Sequence, residues 1–204
     1  MVVSLALLRR VLALAACAVI PAVYAHDPSD PHAHHHAVKA KTIRSTADYE
    51  IPDVKLVRED GRTVSLRQEI SDGRPVVLNF IYTTCTSICP VSSQTFADLQ
   101  EKLGAGRGKV HLVSISIDPE QDTPARLREY AKRFGAGSEW RHYTGTLAAS
   151  LDVQRAFNVD RGAKMNHTPV TFVRVAPGSQ WVRIDGFATA DELAHELPQT
   201  IALR

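Results

Sequence analysis

The stretch that most constrains this chain is Val76-Val77-Leu78-Asn79-Phe80-Ile81, which runs through Tyr82-Thr83-Thr84 into Cys85 and Cys89, a Cys-x3-Cys pair with Pro90 directly behind it. A near-continuous apolar run of this length predicts a strand buried on both faces. Downstream, Val91, Phe96, Leu99 and Leu103 recur at helical spacing, and Pro90 fits the first turn of a helix, where its missing N–H is no loss. Both sulfurs then belong to a strand-to-helix junction at the positive end of a helix dipole. That position favours thiolate over thiol, and thiolate is the form that attacks disulfides and binds soft metals. The other reading of the pair is a buried structural disulfide, but such bridges seldom occupy a helix N-terminus in so short a loop.

The ends of the chain set the compartment. Arg9-Arg10 precede an apolar run from Val11 to Tyr24, and Val23-Tyr24-Ala25 places small residues where a signal peptidase reads, so residues 1–25 are expected to direct export with cleavage after Ala25. Two alternatives stay open. The run could be retained as an anchor, although it is shorter than the roughly 20 apolar residues a span needs, and Leu14-Ala15-Ala16-Cys17 resembles a lipoprotein box that would leave Cys17 lipidated. All three put the folded part outside the cytoplasm, in the periplasm or on the outer face of the inner membrane. There disulfides persist, and with Cys17 removed only Cys85 and Cys89 remain of three cysteines. Without Arg9 and Arg10 the 24 basic residues fall level with the 22 acidic ones. No basic stripe interleaved with aromatics occurs, and nucleic-acid binding has no support.

Residues 26–36 read HDPSDPHAHHH, five of the nine histidines with two prolines. Nothing apolar is available there to bury, so this stretch is expected to be either a solvated linker or a weak trap for transition metals, and residues 37–50 are expected to continue the linker. The folded domain is expected over 51–204. It opens with a hairpin whose turn is Asp60-Gly61, flanked by Val54–Val57 and Thr63–Leu66. After the cysteine helix come a strand over 109–117, a helix opened by Thr123-Pro124, a short strand at 140–143 and a helix over 147–157. Pro169 starts a β-branched strand, Pro177-Gly178 turns into Trp181–Ile184, and Asp191 is expected to cap a closing helix of Leu193, Leu197 and Ile201. This order predicts a three-layer α/β domain on a mixed sheet, since hairpin-linked strands pair antiparallel.

YTTCTSICP, then SISIDPEQDTP at 114–124, then NHT at 166–168, in this order over roughly residues 48–203, resemble the SCO/SenC family. The resemblance implies a thioredoxin-like α/β/α domain that is membrane-associated, binds copper and serves cytochrome c oxidase assembly. Carried over residue by residue, the copper ligands would be Cys85, Cys89 and His167, with Asp118 as an acidic neighbour, a helix cap or a turn residue. One departure is Pro169, which stands where many family members have an aliphatic residue; thioredoxins carry a cis proline there. The receiving partner implied is a cytochrome c oxidase subunit or another copper-receiving protein.

The residue chemistry agrees. Two thiolates and an imidazole suit Cu(I) and also accept Cu(II), whereas zinc usually takes a fourth ligand. His111, His142 and His195 lack a cysteine context and read as structural, and Met165 reads as a packing residue or, in the alternative, a thioether contact near the site. The rival reading is an enzyme, a thiol–disulfide oxidoreductase with Cys85 as nucleophile and Cys89 as resolving thiol.

Overall fold

The structure, a computed structural model, describes residues 41–202. The export segment, Cys17 and the histidine-rich stretch lie outside the described residues. The elements in chain order are β1 (Ile43–Ala47), β2 (Lys55–Arg58), β3 (Thr63–Ser65), α1 (Leu66–Glu69), β4 (Val76–Ile81), α2 (Ile88–Leu103), β5 (His111–Ser116), α3 (Pro124–Arg133), β6 (Trp140–Thr144), α4 (Leu147–Ala156), β7 (Val170–Arg174), β8 (Trp181–Asp185), α5 (Ala190–Glu196) and α6 (Gln199–Ala202). The strands form one mixed sheet in the order β1-β8-β7-β4-β5-β6-β2-β3. Strands β4, β5 and β6 are parallel, and the remaining pairings are antiparallel.

Strand β4 is central and fully buried, as its apolar run requires. Its side chains alternate between two cores. Val76, Leu78 and Phe80 join Val153 and Phe157 of the α4 side, together with Phe172 and Trp181. Val77 joins Phe96, Leu99, Leu103 and Leu193 beneath α2 and α5. Helices thus cover both faces and give the three layers. Asn79, the polar break in the run, is tolerated because Ser114 Oγ donates to its Oδ1 at 2.7 Å and Trp140 Nε1 donates to Ser114 Oγ at 2.9 Å.

Three expectations are corrected. Part of the stretch assigned to linker is β1, an exposed edge strand that pairs with β8 from Ile43↔Asp185 to Ala47↔Trp181. Its sequence, IRSTA, has no apolar alternation, and what holds it is tertiary: Arg44 clamps Glu196 of α5 through two bonds of 2.6 and 2.8 Å. The closing helix is capped by Thr189, not Asp191. Thr189 and Glu192 form a reciprocal capping box, which leaves Asp191 in the first turn. The same helix is also interrupted before Pro198, so that α6 is separate from α5.

Because β7 runs antiparallel to β4 with Asn79 opposite Thr171, the residues preceding β7 lie at the end of β4 from which the cysteine loop departs. The Thr168–Pro169 bond is trans, as are all the described peptide bonds.

Candidate metal centre

The cysteine loop is fixed from below by a carboxylate. Asp122, with no exposed surface, accepts the Thr83 backbone N–H through both oxygens at 3.1 Å. It also accepts the Thr83 hydroxyl at 2.5 Å and the Ser116 hydroxyl at 2.6 Å. The loop is thereby pinned to the end of β5. The Cys85 N–H then donates to Tyr82 O at 3.1 Å, closing a turn that delivers Cys85 to the start of α2.

Cys85 and Cys89 are both reduced and buried. The Cys89 backbone N–H, in the first turn of α2, donates to Cys85 Sγ at 3.3 Å. Burial works to raise the Cys85 thiol, but hydrogen bonds from the Cys89 and Ser87 backbones and from the Cys89 and Tyr82 side chains outweigh it, and its pKa comes down to about 7. Cys89 goes the other way. Burial pushes its thiol well up, and the charge of Cys85 adds to the effect. The two sulfurs are therefore unequal, with Cys85 ionising far more readily than Cys89.

His167 is buried beside the same end of β4, with Nε2 3.1 Å from Phe80 O. A carbonyl only accepts, so Nε2 carries the proton and Nδ1 keeps the free lone pair. Burial lowers the His167 pKa, against a smaller upward pull from that carbonyl, and the ring is neutral. Among the described residues no three His, Cys, Asp or Glu side chains converge on a single metal position. The fold brings the two sulfurs together and sets His167 at the same end of β4, with its Nε2 on the Phe80 carbonyl.

Asp118 is neither a helix cap nor free. Its backbone carbonyl accepts the N–H groups of Gln121 and Asp122, and its carboxylate pairs with Lys164 Nζ at 2.5 Å. Lys164 also lies over the Tyr82 ring, 5.6 Å from its centroid. Met165, expected to pack, is instead 76 % exposed, and it accepts the Tyr82 hydroxyl at Sδ across 3.8 Å. Of the other histidines, His111 faces Asp72 at 2.9 Å, His142 is wholly buried and His195 is exposed. Sequence reasoning missed Asp122, Thr83 and Tyr82. A carboxylate flanked by turn residues carries no sign in sequence that it faces a loop 39 positions away.

A polar cavity of about 280 Å³ sits at the opposite end of β4 and β5, lined by Arg58, Glu69, Asp72, Arg74, His111 and Glu139 among others. It contains no sulfur and is remote from the cysteine loop.

Comparison with known proteins bears on the same region. The SCO1/SenC family profile matches residues 44–202. The SCO1 protein homolog of Bacillus subtilis is 34 % identical over 117 residues, covering 57 % of this chain and 60 % of that protein, so the chain spans less than two thirds of this relative. Arabidopsis thaliana ScoI, solved with copper bound, superposes with a TM-score of 0.58 at 27 % identity over 71 % of this chain and 93 % of that one. BsSco, described as a member of the Sco family of cytochrome c oxidase assembly proteins with a disulfide switch, superposes with a TM-score of 0.61 at 25 % identity over 74 % of this chain and 92 % of that one. The thioredoxin-like α/β/α fold is common to all of them.

Proposed function

Because the chain belongs to the SCO1/SenC family, we propose that it is an exported copper carrier that takes the metal as cargo on Cys85, Cys89 and His167 and delivers it to a copper-receiving protein, a cytochrome c oxidase subunit. The observation that carries this reading is the free cysteine pair at the start of α2, with the Cys89 backbone N–H donating to Cys85 Sγ at 3.3 Å. Soft thiolates select Cu(I), and a neutral imidazole with its Nδ1 lone pair free completes a set that also accepts Cu(II). Three ligands leave one side open, so a receiving ligand can bind before the donor ligands leave. Residues 1–25 supply the export or anchoring segment. No helix among the described residues is long and apolar enough to cross a membrane.

Relatives support the copper reading. A. thaliana ScoI has been solved with the metal bound, and its match covers most of that chain. A second reading, thiol–disulfide exchange, is favoured by the division of the pair into a thiolate at Cys85 and a deeply buried thiol at Cys89, the pattern of an attacking and a resolving cysteine.

The test is a Cu(I) titration of the reduced protein against a competing chelator, repeated with Cys85→Ser, with His167→Ala and with the five histidines of residues 26–36 replaced by alanine. One tight site that survives the alanine replacements and is lost with Cys85→Ser supports copper carriage. Absence of any site beyond the histidine-rich stretch refutes it. Disulfide reduction that is abolished by Cys85→Ser and untouched by His167→Ala supports the second reading.

A further inference from the structure

Met165 is one of only two methionines in the chain, the other being Met1. A thioether is a flexible apolar filler when buried and a soft metal ligand when exposed. Here it is 76 % exposed, so packing does not account for it. Nor is the exposure that of an untethered loop. On one side Lys164 is tied to Asp118 at 2.5 Å and lies over Tyr82. On the other, Asn166 Nδ2 donates to Arg161 O at 3.2 Å, and the His167 N–H closes a turn on Lys164 O at 3.1 Å. The turn that carries Met165 is pinned at both ends.

What it is pinned against is the cysteine site. The Tyr82 hydroxyl lies 3.8 Å from Met165 Sδ, and Tyr82 packs in one cluster with Cys85 and Cys89. One side chain therefore touches both an exposed thioether and the buried cysteine pair. Cys85 and Cys89 have little surface of their own, whereas Met165 presents its thioether to solvent.

We propose that Met165 is an entry ligand for copper, holding Cu(I) in transit at the mouth of the cysteine pair, an inference that rests on the copper reading above. The step is ligand exchange, with no change in oxidation state. The thioether displaces one ligand of the incoming Cu(I), the Tyr82 hydroxyl gives up its contact with Met165 Sδ, and the Cys85 sulfur then bonds the metal as the thioether leaves. Cys89 follows, losing its proton to solvent. Because Met165 is released at the end, it sets rates and not the final affinity.

The test compares wild type with Met165→Leu, which keeps size and apolar character at an exposed position and removes only the sulfur. Stopped-flow loading from a Cu(I)–chelator complex, and unloading to a stronger chelator, are both expected to slow by about 5-fold or more, while the equilibrium affinity shifts by less than about 3-fold. A structural role would not slow the two directions equally at fixed affinity. Loading of Met165→Leu at the wild-type rate, with copper still bound tightly, overturns this inference and leaves copper carriage standing. Failure of wild type to take Cu(I) at all overturns both.

Discussion

The backbone N–H of Cys89 points at Cys85 Sγ across 3.3 Å, so the second cysteine of the pair caps the first with its own main chain. That contact makes the two sulfurs chemically unequal. Cys85 receives helix N–H groups that stabilise its anion, while Cys89 is shut into a cluster with Leu127 and Tyr130 that disfavours charge.

The inequality fixes the proton balance of metal loading. Above its pKa of about 7, Cys85 is already a thiolate, and only Cys89 must lose a proton. Below that value both must. Loading one Cu(I) is expected to release about one proton at about pH 8 and about two at about pH 6, with affinity falling as pH drops through the interval. Proton release measured in weakly buffered solution checks this. A count that does not change with pH would mean that Cys85 is not held as an anion.

The Asp122 clamp is expected to matter for stability as well as for loop position. Asp122→Asn keeps the volume but replaces one accepting oxygen with a donor that faces the Thr83 N–H and one hydroxyl, that of Thr83 or of Ser116. Losing hydrogen bonds to a buried charge costs about 2–4 kcal/mol, or about 5–15 °C in Tm for a domain of this size. Thermal unfolding followed by circular dichroism measures it. Stability within about 0.5 kcal/mol of wild type would show that the clamp is not a major anchor.

His142 gives an expectation of opposite sign. It has no exposed surface, both ring nitrogens lack a hydrogen-bond partner among the described residues, and its neighbours include the Tyr130 and Trp140 rings. His142→Phe removes buried polar atoms without orphaning a partner, and is expected to be neutral or stabilising. Burial pushes the His142 pKa down to about 3. The unfolded chain therefore takes up a proton below about pH 6.5 that the folded one refuses, and stability falls as pH drops from there toward 3. His142→Phe is expected to flatten that acid limb in denaturant titrations run across the range. An unchanged limb would show that other groups dominate it.

The sequence carried the centre of the molecule further than its edges. The β4–α2 junction was legible because apolar periodicity changes from strand to helix exactly where two cysteines and a proline fall. The Asp60-Gly61 turn was legible because Gly61 takes φ +88°, a region that favours glycine. Strand β1 was not, since its pairing with β8 is supplied by residues more than a hundred positions away. At the site, both sulfurs and the nearby imidazole were legible as residue types. The Asp122 clamp, the Tyr82 hydroxyl against Met165 Sδ and the exposure of Met165 were not, because each depends on how the loop folds over β5 and on where the turn before β7 is tied.

The most direct measurement of the central claim is copper K-edge X-ray absorption on the reduced protein loaded with one Cu(I), with the histidines of residues 26–36 replaced so that they cannot contribute. Two sulfur scatterers and one imidazole nitrogen are expected, with the nitrogen lost in His167→Ala and one sulfur lost in Cys89→Ser. A spectrum with two sulfurs and no nitrogen, unchanged by His167→Ala, would contradict it, leaving a dithiol site in which His167 stays on the Phe80 carbonyl.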